Sequence, residues 1–402
     1  MRPSRPRPAQ EKPEPRTPAH DPLFRPMPEA AHAVLAAFPA VLDVVMPLSG
    51  THRRDLPEAV RTLSALLTFE RSALHRPYWS APRLTSAYLR YFLPWNLIRL
   101  IRLLPGLKLP PPKPEALLAD LGSGPLTWPL ALWLSFPDWR DVPLHITAVD
   151  SSDRALDLGR EIFRRLAPDS PWRIHTLRAP LHKALRTLRG RPWLITLGNV
   201  LNELAGQPGK NRDDRNGDDA SLTGVLTELA GILAGLLEEG GAVCAVEPGT
   251  RLGGLVLEQL RAGGTAAGLH PGSPCTHAGP CPLLERPGRG WCHAILDTGQ
   301  TPAWLHELAQ TAGLAKTALS LSHLVLHATR PPERKPGLAR ILSGPFAVPD
   351  LGLARYACTS QGLALIATPG AVPQGSVVRV RPMRPPRTDA RSGARIVIPD
   401  AS

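Results

Sequence analysis

Three cysteines fall within one short Gly/Pro-rich segment, HPGSPCTHAGPCPLLERPGRGWCH: Cys275, Cys281 and Cys292, spaced C-x5-C-x10-C. Cys358 follows in RYACTSQG, and Cys244, inside the apolar run AVCAVEP, reads as a small buried hydrophobe. Four thiolates can hold Zn²⁺ or an iron–sulfur cluster. His277 and His293 could each replace a missing thiolate. The spacing lacks the paired C-x-x-C knuckles of a zinc ribbon, which weakens the zinc reading. Free exposed thiols are reactive, so three in one loop need a reason. A nucleophilic cysteine at Pro274-Cys275 or Pro280-Cys281 ranks below metal binding, because both pairs come after an additional helix rather than directly after a central strand.

The second chemical feature is Asp120-Leu121-Gly122-Ser123-Gly124, which ends an apolar run and opens a helix. Glycines there let the backbone approach a ligand, and helix N-terminal amides would face it. The third glycine of a dinucleotide loop is missing, so pyrophosphate binding is disfavoured. D/E-x-G-x-G after a first strand resembles the signature of S-adenosylmethionine-dependent methyltransferases. In those proteins an acid at the end of the second strand takes the ribose hydroxyls, and Asp150 of LHITAVDSS, followed by Ser151, holds that position. A carboxylate accepts from two hydroxyls at once, which suits it to a ribose.

These residues need elements to position them. From Leu117 strands and helices alternate: ALLADL, then LHITAVD (144–150), WRIHTLR, WLITLGNV (193–200) and AVCAVEPG (242–249), with helical segments between. That order predicts a doubly wound parallel sheet with ligands at the carboxyl ends of its strands. Residues 27–112 read as a helical N-terminal domain, with Leu56, Ala59, Val60, Leu63, Leu66 and Leu67 on one stripe. The run APRLTSAYLRYFLPWNLIRLIRLLP carries Arg83, Arg90, Arg99 and Arg102, with Tyr88 and Tyr91 nearby. It reads as a core-packing helix with a solvated basic face, or as a helix facing RNA. Residues 113–330 form the expected α/β domain, with the Cys-rich insertion at 271–293. Residues 331–382 form a small antiparallel β unit. Residues 1–26 and 383–402, rich in Pro and Arg, read as disordered basic tails.

Composition narrows the classes. Basic residues number 47 against 34 acidic, a formal charge of +13, and all but seven of the basic residues are arginine. Guanidinium forks match phosphate geometry, so nucleic acid is a candidate partner, although compositional drift gives the same excess. Five cysteines exclude a disulfide-dense scaffold. No run is apolar enough to span a membrane, and the N-terminus lacks the apolar core of a secretory signal.

Taken along its length, the chain resembles the small-ribosomal-subunit methyltransferase-like family of the Rsm22 type. The segments that carry the resemblance are the helical lead-in LPEAVRTLSALLTFER with PYWSAPRLTSAYLRYFLPWNL, DLGSGPLTWPLALW, LGNVLNEL with AVEPGTRLGGLVLEQLR, and PCTHAGPCPL with GWCH and Cys358. The resemblance implies a class I methyltransferase fold and a [4Fe-4S] cluster on Cys275, Cys281, Cys292 and Cys358, zinc being the alternative. It implies action on small-subunit rRNA, as a methylase or as an assembly factor. The cofactor would lie against Asp120, Gly122, Ser123, Gly124, Asp150 and Ser151. Asn199, Asn202 and Glu203 would stand at the substrate or the methionine end. The setting would be a bacterial cytoplasm or, in a eukaryote, the mitochondrial matrix. Two departures stand out. Leu126 replaces a usual glycine and could crowd the methionine tail, and no [DN]-P-P-[YF] motif follows the fourth strand.

Overall fold

Apolar residues at helical spacing build the first part of the molecule. The computed structural model describes residues 19–68, 78–202, 215–284, 290–332, 336–349, 351–367 and 370–400. After a short strand β1 (His20–Asp21), helix α1 (Glu29–Val45) buries Ala31, Leu35, Phe38 and Leu42. Helix α2 (Gly50–Thr68) buries Leu56, Ala59, Val60 and Leu63, four of the six expected positions. Helix α3 (Pro82–Ala87) runs through a π turn (Tyr88–Phe92) into α4 (Leu93–Leu103). Pro94 has no N–H for the carbonyl one turn back, and the widened turn directly precedes it.

Of the four arginines expected on a basic face of this run, Arg83 alone is exposed. Arg90 is buried and donates to Asp43 at 2.7 Å and to the Met46 carbonyl at 3.1 Å. Arg102 donates to Asp297 at 3.0 Å. Arg99 turns into a cleft described below. Tyr91 is buried and its hydroxyl donates to the Leu314 carbonyl. Arg90, Arg99 and Arg102 are thus engaged within the protein and not on an open basic face. The helices also have no core of their own. Leu35, Leu97 and Ile101 lie in one continuous apolar cluster with Leu130, Ile146 and Ile162 of the α/β part.

The central sheet consists of β2 (Ala116–Leu121), β3 (Leu144–Asp150), β4 (Arg173–Arg178), β5 (Leu194–Gly198) and β6 (Ala242–Pro248). They run parallel in the order β4-β3-β2-β5-β6. Between them come α5 (Thr127–Ser135), α6 (Asp153–Leu166), α7 (Leu181–Thr187) and α8 (Arg215–Leu236), and α9 (Arg251–Ala266) follows β6. Beyond β7 (His270–Pro271), β8 (Ala294–Asp297) and α10 (Ala303–Thr311), strand β9 (Ala318–His327) pairs antiparallel with β6. The sheet is therefore mixed, not wholly parallel. One apolar cluster fills the face under the N-terminal helices and the other the face under α8 and α9.

The remaining strands are β10 (Leu338–Ile341), β11 (Phe346–Val348), β12 (Gly352–Thr359), β13 (Gly362–Ala367), β14 (Val377–Pro382) and β15 (Arg395–Pro399). Their pairings close a ring, β10-β12-β13-β15-β14 and back to β10, in which only β13–β15 is parallel. Ala357, Ile366, Val378 and Val380 pack in one apolar cluster inside it. Both expected tails are corrected here. Residues 19–26 include β1, which pairs with β14, and the buried Leu23. Residues 395–399 are the strand that completes the ring, so the small β unit extends past 382. Residues 1–18 lie outside the described residues. Among the described residues no helix is long and apolar enough to cross a membrane.

Candidate cofactor cleft and cysteine site

The carboxyl ends of β2, β5 and β6 open onto a cleft. Its walls include Gly122, Ser123 and Gly124 of the glycine turn, Asn199 after β5, and Glu247 at the end of β6. Gly122 and Gly124 adopt φ of +75° and +52°, which glycine reaches without strain. A Cβ on Gly122 would meet Val200 at 2.9 Å, whereas nothing lies within 4 Å of the Gly124 position. The turn thus leaves backbone bare towards the cleft.

Asp120 is fully buried beneath this turn. Thr196 donates to its Oδ1 at 2.7 Å and Ser123 donates to its Oδ2. Burial pushes its pKa up to about 7, although both hydroxyls favour the ionised form. Both oxygens are engaged within the protein, so Asp120 and Ser123 hold the turn in shape. Asp150 closes it from the other side: its Oδ2 accepts from Gly124 N–H at 2.8 Å and its Oδ1 from Ser152 N–H at 2.9 Å. Burial also raises its pKa, against these two amides. Ser151 beside it is exposed. Leu126 does not crowd the cleft. It sits at φ +57° with its side chain buried, close to Gly159 of α6, where an added Cβ would meet Leu126 Cγ at 2.7 Å.

After β5, Asn199 adopts φ +57°, and its amide donates to the Val246 carbonyl at 2.9 Å. Asn and Asp tolerate this conformation better than other non-glycine residues. Asn202 is buried, and its Oδ1 has no hydrogen-bond partner among the described residues. Glu203 lies outside the described residues. Glu247, fully buried, accepts from Leu201 N–H at 2.8 Å and ties this segment to β6.

The residues that sequence reasoning missed come mostly from the helical lead-in. Tyr88, Asn96 and Arg99 all line the cleft. Arg99 Nη1 donates to Asn96 Oδ1 at 3.1 Å, its Nε is buried without a partner, and burial lowers its pKa to about 10. Among the described residues it makes no ion pair. Trp128 of α5 forms another wall, with its indole nitrogen against Gly198; a Cβ there would stand 2.6 Å from it. The i, i+3 pair Asn96/Arg99 was visible in the sequence, but nothing in its spacing aimed it at the glycine turn.

The cysteines gather on the other side of β9. Arg261 of α9 donates to Cys275 Sγ at 3.1 Å and also to the Gly279 carbonyl. Glu258, one turn before, accepts from Cys292 N–H at 3.0 Å. Cys358 on β12 lies 3.3 Å from His277 Nε2. Arg340 of β10 donates to the Pro274 carbonyl at 2.8 Å, joining the ring to the cysteine loop. Burial raises the Cys292 thiol well above its usual range, and the charges of Cys275, Cys358 and Cys281 add to the effect. The four sulfurs thus share one electrostatic neighbourhood. Among the described residues no three Cys, His, Asp or Glu side chains close on a single metal ion. His293 is bonded to Gln374 and is not part of this group. Cys244 is fully buried in β6, as expected.

A parallel sheet ordered β4-β3-β2-β5-β6, extended by an antiparallel β9, with a glycine turn after its central strand, defines a class I methyltransferase fold. The family model described as "Mitochondrial small ribosomal subunit Rsm22" matches residues 86–345, and the chain belongs to that family. Among solved structures the chain is similar to a methyltransferase from Pyrococcus furiosus, at 12% identity and TM-score 0.31, covering 54% of this chain and 76% of that one. It is also similar to precorrin-6y C5,15-methyltransferase from Geobacter metallireducens GS-15, at 13% identity and TM-score 0.32, covering 58% and 87%. No curated protein matches the chain.

Proposed function

We propose that this protein binds S-adenosylmethionine in the cleft above β2, β5 and β6 and acts on the rRNA of the small ribosomal subunit as a methyltransferase-like protein. The observation that carries the reading is the meeting of three features in one place: the bare glycine turn, the carboxylate of Asp150 beside it, and the unpaired Arg99. A zwitterionic cofactor with an adenosine and an amino-acid end needs such a set. Gly122 and Gly124 admit its backbone-level approach, and Asp150 with Ser151 stands where ribose hydroxyls would be taken. Arg99, a cation desolvated without a carboxylate, suits the amino-acid carboxylate. The cofactor supplies an electrophilic methyl group, and the protein's part is to hold a base in line with it. Asn199 at the strand end and Asn202 would orient that base; the role of Glu203 stays with this reading.

We infer that the iron–sulfur cluster implied by the resemblance would sit on the four cysteines. The four thiols oppose one another's ionisation, and a bound metal group that holds them as thiolates would relieve that repulsion. Cys275, Cys281, Cys292 and Cys358 would hold it, with Arg261 donating to sulfur. A cluster so placed staples the loop after β7 to β12.

A second reading keeps cofactor binding out of the function: an rRNA-binding assembly factor on a methyltransferase scaffold. What favours it is Glu247 beside the cleft, whose Oε1 is held by Leu201 N–H. Calorimetry with S-adenosylmethionine separates the two. Binding that Asp150→Ala weakens supports the first, and no binding by the wild type removes it. The compartment would be the bacterial cytoplasm or the mitochondrial matrix, wherever small subunits are assembled.

A further inference from the structure

The ring of strands at the C-terminal end has a defined topology. In chain order its strands are first β10, second β12, third β13, fourth β14 and fifth β15, and they close as 1-2-3-5-4-1 with the third and fifth parallel. That is the Greek-key barrel of the OB-fold, whose second and third strands and flanking loops take oligonucleotides.

The corresponding face of this barrel is equipped for the same ligand. On the outer side of β12 and β13, the partly buried Phe346, Tyr356, Leu363 and Met383 pack over the buried Leu365, Ala394 and Ile396. The rings of Phe346 and Tyr356 lie 5.0 Å apart, and both are partly exposed. Met383 begins the connection from β14 to β15, which presents Arg384, Arg387 and Arg391, all exposed. None of the three makes an ion pair among the described residues. Residues 376–399 hold six arginines and one acid, Asp389. That acid is engaged locally, accepting from the Ser392 amide at 2.8 Å. Further bonds from Asp389 N–H to Ala394 and from Ile396 N–H to Arg387 fix the connection as a turn, not a tail. A rigid loop pays less ordering entropy on binding than a disordered one.

We propose that this face, between the Phe346–Tyr356 pair and the 384–391 arginines, binds single-stranded RNA, the arginines on phosphates and the aromatic rings under bases. The proposal rests on the rRNA reading above and gives it a surface separate from the cofactor cleft. Duplex RNA is the poorer ligand, because its bases are already stacked and cannot reach the rings.

The test uses the full-length protein and a fluorescent oligouridine of roughly twelve nucleotides, the scale of one OB-type site. Anisotropy is followed across a salt series. Arg384→Ala/Arg387→Ala/Arg391→Ala should weaken binding at least about tenfold and flatten the log–log salt slope by about 2, at ~0.7 per lost phosphate contact. Phe346→Ala should weaken binding about fivefold or more with the slope unchanged. S-adenosylhomocysteine binding should be the same in all variants, which reports an intact fold. Wild-type affinity in the triple variant overturns the assignment of this surface while leaving the rRNA reading standing. A duplex bound as tightly as the single strand overturns the proposed chemistry. A wild type that binds neither RNA overturns both the proposal and the rRNA reading.

Discussion

Asp150 at the end of β3 accepts a hydrogen bond from the amide of Gly124 at 2.8 Å, across the turn that follows β2. The two strands are neighbours in the parallel sheet, so the acid locks the glycine turn from the adjacent strand end. Asp150→Ala removes that bond and, on the proposed function, the ribose acceptor with it. Its affinity for S-adenosylhomocysteine should fall by about tenfold or more, the loss of a charge-assisted bond being worth roughly 1.5–3 kcal/mol. Isothermal calorimetry measures it, and an unchanged Kd would remove Asp150 from the site.

Arg99 gives a prediction that depends on the ligand. Arg99→Met should weaken S-adenosylhomocysteine about tenfold or more and leave 5′-methylthioadenosine, which has no amino-acid carboxylate, nearly unaffected. Equal losses for both ligands would mean that Arg99 shapes the cleft and does not contact the carboxylate.

Asp120 should make the fold pH-sensitive. Its folded pKa is raised to about 7 from an ordinary value of 3.8, so between those limits the native state holds a proton that the unfolded chain has lost. Stability therefore falls as pH rises through this window. Asp120→Asn keeps an acceptor for Thr196 and removes the titration. Thermal melts from about pH 5 to 8 should show a smaller decline in Tm for the variant than for the wild type. Parallel curves would show that Asp120 does not titrate in this range.

The cysteines divide into four and one. Cys281→Ser should lower iron content, folded yield and Tm, because binding energy for a structural metal group is folding energy. Cys244→Ala should leave iron and colour intact and cost about 1 kcal/mol for the small cavity in β6. Anaerobically purified protein that contains zinc and no iron would end the cluster reading.

Much of the α/β part was legible in the sequence. The segment LHITAVD coincides with β3, and ALLADL and AVCAVEP are β2 and β6, because strands buried in a parallel sheet are largely apolar. The spacing of Leu56, Ala59, Val60 and Leu63 gave the buried stripe of α2 for the same local reason. The four cysteines could be grouped by their chemistry. What local pattern could not supply was direction. Arg90, Arg99 and Arg102 look alike along one helix, yet one pairs with Asp43, one enters the cleft and one reaches Asp297. A helix repeats every 3.6 residues, but which neighbour each face meets depends on elements far away in the chain. The stretch from Met383 to Asp400 shows the same limit. Its prolines and arginines carry the composition of a disordered tail, while its strand exists because β13 and β14 offer unpaired edges on both sides of residues 395–399. Local composition set which residues could do chemistry; long-range pairing, which satisfies backbone groups that no local pattern can, decided where they stand.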